Sequence, residues 1–422
     1  VGLAYDIAYT LALPAFLPAL LRKRRHGLRE RFGHLDPLPA QEGPRLLIHA
    51  VSVGEVNLIT PLVRLLSDAH GVDVIVSVTT DTGLARARQV HSGHATVVRY
   101  PLDFSRSVRR FLDAVRPDVV ALTELELWPN FASECASRAI PLSIINGRLS
   151  ERSFRGYRRA RPFLRRAFGS LDVCAAQSAE YARRFEHMGV APERIRIAGS
   201  MKWDSVRVGE RVEGVDDFAD RFGLDRSRPI VVAGSTAPDE HALLRDVIPP
   251  GVQVVCAPRR PEWFDEAARD LPGCARWSRR DRGSAADRFL LDAIGELRRA
   301  YALADVVIVG RSFGDLYGSD PMEPAALGKP ILIGPRYGDF TQSVEALRES
   351  GALRVVDRSS LGGAVRELLS EDSARERMGR AAIECVLEHQ GSTSRHASIL
   401  LELLGVNARA EGAWAAPEAA NA

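Results

Sequence analysis

No cysteine pair, no glycine-rich nucleotide loop and no strong excess of one charge marks this chain. Its five cysteines, Cys135, Cys174, Cys256, Cys274 and Cys385, are scattered, odd in number and free of any CxxC or Cys/His grouping. That spacing offers neither a disulfide framework nor a zinc site, and it fits a reducing compartment. Neither GxGxxG nor a GK[ST] phosphate loop occurs, which disfavours dinucleotide oxidoreductases and P-loop NTPases. The net charge of +3 is too weak to argue for nucleic acid. Long apolar runs are also scarce. The exception is residues 1–21, mostly apolar but broken by Asp6, Pro14 and Pro18, and followed directly by Arg22-Lys23-Arg24-Arg25. A secretory signal carries its charges before the apolar run, not after it. Two readings remain for 1–26: a segment associating with the cytoplasmic face of a membrane, or a helix capping a domain edge.

What is present is an alternation of strands and helices. At 422 residues the chain exceeds one typical core, so two domains are expected. Short β-branched runs at 45–50, 72–78, 119–122, 141–145, 229–233, 252–257 and 305–309 read as strands, separated by loops and helical segments. The polar stretch 205–228 breaks the rhythm and reads as a linker with a short helix. The economical architecture is α/β: two facing Rossmann-like domains with a central cleft, at 27–204 and 229–406, and a disordered tail at 407–422.

Candidate residues cluster where such folds bind ligands, at the carboxyl ends of strands. The strand at 305–309 runs into a Gly- and Ser-rich loop and then into a helix beginning near Pro321, the arrangement that holds phosphates. Glu323, one turn inside, is placed to accept hydrogen bonds from a ribose diol or to serve as an ordinary first-turn acid. Arg259 and Arg260 end another strand and suit a phosphate. Thr79 to Gly83 reads as an anion loop or a helix cap. Glu124 and Glu126 read as cleft carboxylates or structural acids. Six arginines between Arg155 and Arg166, interleaved with aromatics, read as a solvated helix face or as a surface for anionic lipid. Glu30, between Arg29 and Arg31, reads alone as a salt-bridged surface residue.

Taken together, ten stretches resemble one family. They are GLRERFG at 27–33, HAVSVGEV at 49–56, TTDTG at 79–83, ELELWPN at 124–130 and NGRLSERSFRGY at 146–157. GSMKWD at 199–204, AGST at 233–236, PRRPEWF at 258–264, IGELRRAYALADVVIVG at 294–310 and DPMEPAALGKPILIGP at 320–335 complete the set. In this order they resemble the 3-deoxy-D-manno-octulosonic acid (Kdo) transferases of lipopolysaccharide assembly, membrane-associated glycosyltransferases of the GT-B fold. The resemblance implies transfer of Kdo from CMP-Kdo to a lipid A precursor (lipid IVA) at the cytoplasmic face of the inner membrane, anchored by the N-terminal segment. It implies an inverting single displacement with Glu30 as general base, with no metal ion or other cofactor and no nucleic acid. Donor contacts would come from Ser235, Arg259, Arg260, Gly295, Glu296, Ser319, Asp320, Glu323 and Lys202. Acceptor contacts would come from Ser52, Gly54, Glu55, Thr80 and Arg148. The Arg155–Arg166 segment would face the membrane and the lipid A phosphates.

The chain departs from the family pattern at the donor loop. A Gly-Gly-His-Asn-Pro-like run is replaced by Tyr317-Gly318-Ser319-Asp320-Pro321, which adds a negative charge beside an anionic donor. Arg260 stands where the family has histidine and is placed to compensate that charge. Two alternatives stay open: another GT-B nucleotide-sugar enzyme (a related glycosyltransferase or an epimerase), and a degenerate non-catalytic scaffold.

Overall fold

The computed structural model describes residues 5, 6, 10, 27–40, 43–279 and 287–406. The basic run 22–25 and the tail from 407 lie outside them. No helix among the described residues is long and apolar enough to cross a membrane. The described residues form two units, one built from those up to Ser205 together with 390–406, the other from Val206–His389.

The first unit is a seven-stranded parallel sheet of β1 (Arg45–Ala50), β2 (Asp73–Val78), β3 (Thr96–Arg99), β4 (Val119–Thr123), β5 (Leu142–Gly147), β6 (Val173–Ala176) and β7 (Ile195–Ile197). Their order is β3-β2-β1-β4-β5-β6-β7. Side chains alternate between faces, so Leu46 and Ile48 of β1 enter one core and Leu47 the other. Helices cover both faces, which is why β1 reads as an unbroken buried run.

The second unit repeats the design. Its strands are β8 (Ile230–Thr236), β9 (Gln253–Pro258), β10 (Ala275–Arg276), β11 (Arg288–Leu290), β12 (Val306–Val309), β13 (Ile331–Ile333) and β14 (Leu353–Val355). They are ordered β10-β11-β9-β8-β12-β13-β14 and are all parallel. In each unit the strand order reverses once near the centre, between β1 and β4 and between β8 and β12. Loops leaving the carboxyl ends at such a point form the crevice of an open α/β sheet.

Three features differ from the sequence-derived division. The helix Ser392–Leu403 belongs to the first unit, not the second. Its Ala397, Leu400 and Leu401 pack on the same core as β1 and β2. The helix Val215–Phe222, inside the stretch read as linker, is built into the second unit. Phe218 stacks on Trp277 at 4.7 Å, and Phe222 meets Trp277 at 5.4 Å and Phe289 at 5.3 Å. Third, the second unit ends its sheet with β14, an edge strand of three residues absent from the strands read in the sequence. A run that short carries too little alternation to announce itself.

Candidate active-site loops

In the first unit, polar side chains follow the carboxyl ends of β3, β2, β1, β4 and β5. The turn 27–33 lies at one end of this row. Gly27 takes a left-handed conformation (φ 73°) before the single-turn helix Leu28–Arg31. A Cβ there would fall 2.6 Å from Arg99 Nε and 2.7 Å from Glu30 Oε2. Gly33 closes the turn, and a Cβ on it would lie 2.1 Å from the Ser107 carbonyl. Beneath the turn, buried Arg31 donates to the Thr79 carbonyl at 3.1 Å. Arg99 Nε donates to Glu30 Oε2 at 3.0 Å and its Nη1 to Asp81 Oδ1 at 2.6 Å. The guanidinium is 5% exposed and the Glu30 side chain 40%. A buried cation therefore orients an accessible carboxylate, whose Oε1 takes no hydrogen bond from the described residues.

Beside this turn, Thr80 Oγ1 accepts the Gly83 N–H and donates to the Val51 carbonyl at 2.8 Å, so it caps one helix and joins two loops. Glu55 accepts the Val51 N–H at 2.8 Å. Burial, with Glu124 and Glu126 adding repulsion, pushes its carboxyl up to about 7. Glu124 itself sits at φ 58°, as does Asn146 at φ 51° at the end of β5. Non-glycine residues in this region are strained and gather at functional loops. Arg148 follows β5, with its N–H 3.4 Å from the Glu124 carbonyl.

The acid inside the N-terminal apolar stretch has a specific role. Asp6 accepts the Ser105 N–H at 3.0 Å, the Ser105 hydroxyl at 2.5 Å and Asn130 Nδ2 at 2.8 Å. Asp103 accepts the N–H groups of Asn130 and Phe131 at 3.0 and 2.9 Å. These two carboxylates thus serve the starts of the helices Ser105–Val115 and Pro129–Ser137. Burial, with Asp6 adding repulsion, pushes Asp103 up to about 7. The same loop supports the turn at 27–33: Leu102 N–H donates to the Arg31 carbonyl at 2.7 Å, and Phe104 stacks on Phe32.

In the second unit the loop after β12 leads to the five-residue helix Met322–Ala326. Its start is not an open anion site, because Asp320 Oδ1 accepts the Met322 N–H at 3.0 Å. Ser319 is buried, and its hydroxyl finds no partner among the described residues. Burial raises the Glu323 carboxyl above the usual range, with Asp320 adding to the shift and Arg298 opposing it. Gly234, two residues before the end of β8, packs against buried Tyr301, whose hydroxyl would lie 2.0 Å from a Cβ there. Ser235 follows at φ 56°. Arg259 holds the Thr236 carbonyl through its N–H at 3.0 Å and leaves its side chain exposed. Arg260 lies over Trp263 at 5.1 Å. Gly295 turns the chain at φ 92°, and Glu296 pairs with Arg299 at 2.5 Å.

One motif in this loop has an unused chemical reading. Gly310-Arg311-Ser312-Phe313-Gly314 spells GxSxG, the pattern of a nucleophile elbow. The Ser312 hydroxyl is fully buried, donates to the Val309 carbonyl at 2.6 Å and accepts the Gly334 N–H at 2.8 Å. It ties two strand ends together and is closed to a substrate.

Residues 26–205, which end where the chain first leaves the first unit, match the family model described as 3-Deoxy-D-manno-octulosonic-acid transferase (kdotransferase). The 3-deoxy-D-manno-octulosonic acid transferase of Haemophilus influenzae is 31% identical over 394 residues, 90% of this chain and 91% of the relative. The chain belongs to the Kdo transferase family. The enzyme of that name from Bordetella pertussis is likewise 31% identical, over 94% of this chain and 99% of the relative. Among solved structures, a glycosyltransferase from Rickettsia africae superposes with a TM-score of 0.59 at 12% identity, covering 86% of this chain and 99% of that one. The fold is therefore GT-B, two Rossmann-like units, and the family makes the protein a glycosyltransferase.

Within this Kdo transferase, Ser52, Gly54, Glu55, Thr80 and Arg148 follow the carboxyl ends of strands of one unit, and Glu30 sits on the turn before β1 that packs against Arg99 at the end of β3. Ser235, Arg259, Arg260, Gly295, Glu296, Ser319, Asp320 and Glu323 belong to the other unit. Lys202 belongs to the first unit, in the turn Met201–Ser205. Its neighbour Asp204 caps the helix Ser392–Leu403 by accepting the Gly391 and Thr393 N–H groups at 2.7 and 2.6 Å. Sequence reading missed Arg99 and Asp81, the partners that organise Glu30, because Arg99 lies 69 residues from the carboxylate it orients. It also missed Glu240. The available signal there was a capping-box position, a Glu three residues after Ala237.

Proposed function

We propose that the protein transfers Kdo from CMP-Kdo to a lipid A precursor by inverting single displacement, with Glu30 as general base. The observation that carries this reading is the Arg99–Glu30 pair on a turn closed by two glycines. One carboxylate oxygen is held there and the other is left toward solvent. In the proposed step Glu30 takes the proton of the acceptor hydroxyl as that oxygen attacks C2 of Kdo. The bond from C2 to the phosphate oxygen breaks, and CMP leaves with the electron pair. Ser52, Glu55, Thr80 and Arg148 support the acceptor side, and Glu323 the donor ribose. The Asp320 cap on the Met322 N–H moves the burden of phosphate neutralisation onto side chains, Arg259 foremost. Arg260, stacked on Trp263, is the proposed counter-charge to Asp320.

The reading includes the cytoplasmic face of the inner membrane as the working surface. The helix Glu151–Gly169 supports it, because its arginines are largely solvated and Phe163 is 85% exposed on it. We further propose that transfer needs no added metal ion, so that activity persists in EDTA.

The test is transfer of labelled Kdo from CMP-Kdo to a tetraacyl lipid A precursor, by wild type and by Glu30→Gln, with CMP binding measured in parallel. Expected is transfer by wild type and a loss of about a hundredfold or more in Glu30→Gln with CMP binding retained. Full activity in Glu30→Gln removes Glu30 from the mechanism. No transfer by wild type removes the reaction and leaves a scaffold or a different nucleotide-sugar substrate.

A further inference from the structure

Glu240 is a fully enclosed carboxylate, 2% exposed, at the point where the strand order of the second unit reverses. It takes four backbone N–H groups. Oε2 accepts from Ala237 at 2.9 Å and Arg311 at 2.8 Å, and Oε1 accepts from Ser312 at 2.9 Å and Phe313 at 3.1 Å. Three of these donors are consecutive in the loop after β12, and Arg311 is held at φ 59°. Successive N–H groups converging in such a turn make a nest for an anion. Here the anion is the protein's own side chain.

The loop is then fixed onward from these residues. The Arg311 carbonyl accepts the Gly318 N–H at 2.8 Å, and the Ser312 carbonyl accepts the Arg336 N–H at 3.0 Å. Gly318 (φ 83°) opens the run Ser319-Asp320-Pro321, from which the helix carrying Glu323 begins. A Cβ on Gly318 would lie 2.9 Å from Tyr337 Cα, so this end of the loop is closely seated as well.

We infer that Glu240 is a positioning residue for the donor: its carboxylate fills the anion nest at the reversal point and, through Arg311 and Gly318, sets the loop that presents Ser319, Asp320 and Glu323. Two consequences follow. The nucleotide phosphate is kept out of the position where an open α/β sheet most often holds one. The donor loop is ordered before the donor arrives, so binding carries less ordering cost. Both carboxylate oxygens are already committed to backbone donors, so Glu240 touches no reacting atom.

This inference rests on the reading of the second unit as the CMP-Kdo unit, and its test separates the two. Glu240→Gln is nearly isosteric, but it points an NH2 group at N–H donors, so a space-filling role would survive it and an accepting role would not. Two measurements on the full chain decide: hydrogen exchange of the amides of 311, 312, 313 and 318 without ligand, and CMP affinity by calorimetry. Expected in Glu240→Gln are exchange faster by about tenfold or more and CMP binding weaker by about tenfold to a hundredfold. For turnover, the KM for donor rises while the KM for acceptor holds. Unchanged exchange overturns the inference. Faster exchange with unchanged CMP affinity overturns the link to the donor. A wild-type chain that binds no CMP overturns the donor reading and that link with it, while exchange still decides whether Glu240 orders the loop. Should Glu240→Gln fail to fold, Glu240→Asp withdraws the same oxygens by one methylene and is read by the same two measurements.

Discussion

Glu30 owes its setting to groups that are not carboxylates. Gly27 leaves room for the Arg99–Glu30 contact, which a Cβ would invade at 2.6 and 2.7 Å, and it supplies the left-handed conformation that starts the turn. Gly27→Ala is therefore expected to cost about 1–3 kcal/mol of local strain. Because the clash falls on the proposed base itself, kcat should drop by about tenfold or more, with CMP binding unchanged. Steady-state kinetics alongside a denaturant titration check this, and wild-type kcat in a folded Gly27→Ala protein would contradict it. Sequence neighbours of Glu30 misdirect: Arg29 and Arg31 flank it, yet the cation that orients it is Arg99, and Arg31 points beneath the turn to Thr79.

At the scale of elements, helix starts in the first unit are served by carboxylates from distant segments. Asp103 sits at the start of Pro129–Ser137 and Asp6 at the start of Ser105–Val115, close enough to repel. Asp103 has its folded value raised to about 7 from an ordinary 3.8. The folded state then holds a proton that the unfolded state has lost between those values. Its stabilising contribution is complete below pH 3.8 and disappears as pH rises through about 7. Asp103→Asn should flatten this part of the pH dependence, by on the order of 1–4 kcal/mol between pH 5 and 7.5. Urea titrations of wild type and variant at the two pH values measure it; equal slopes would sink the assignment. The helix Val215–Phe222 shows a related limit of local reading. Its surroundings in sequence are polar, and its two phenylalanines find Trp277 and Phe289 far along the chain.

For the whole molecule, the chain leaves the first unit at Ser205, builds the second, and comes back at Gln390. The returning helix covers the sheet face of β1 and β2 and brings in His396. Burial lowers that imidazole to about 4, so it is neutral, and its Nε2 accepts the N–H of Asn146 at 2.8 Å. Asn146 in turn accepts the Met201 N–H at 3.0 Å. Ending the chain after His389 should uncover this core and destabilise the first unit by roughly several kcal/mol of lost burial, with a lower melting temperature for that unit. The second unit should melt as before. Calorimetry with resolved transitions checks it, and an undisturbed first transition would refute the covering role.

Alternating β-branched runs and loops sufficed to read two α/β units, because strand and helix periodicity is local and repeats many times along the chain. The ten ordered stretches sufficed to read the family, and that reading is the source of the roles proposed for Glu30, Glu323 and the arginines at 259 and 260. Tertiary structure alone decided which cation meets Glu30, that Glu240 fills the nest at 311–313, and that the last helix belongs to the first unit. Each of these is a contact between segments distant in sequence. It depends on which strand ends a parallel sheet brings side by side, and no local periodicity encodes that.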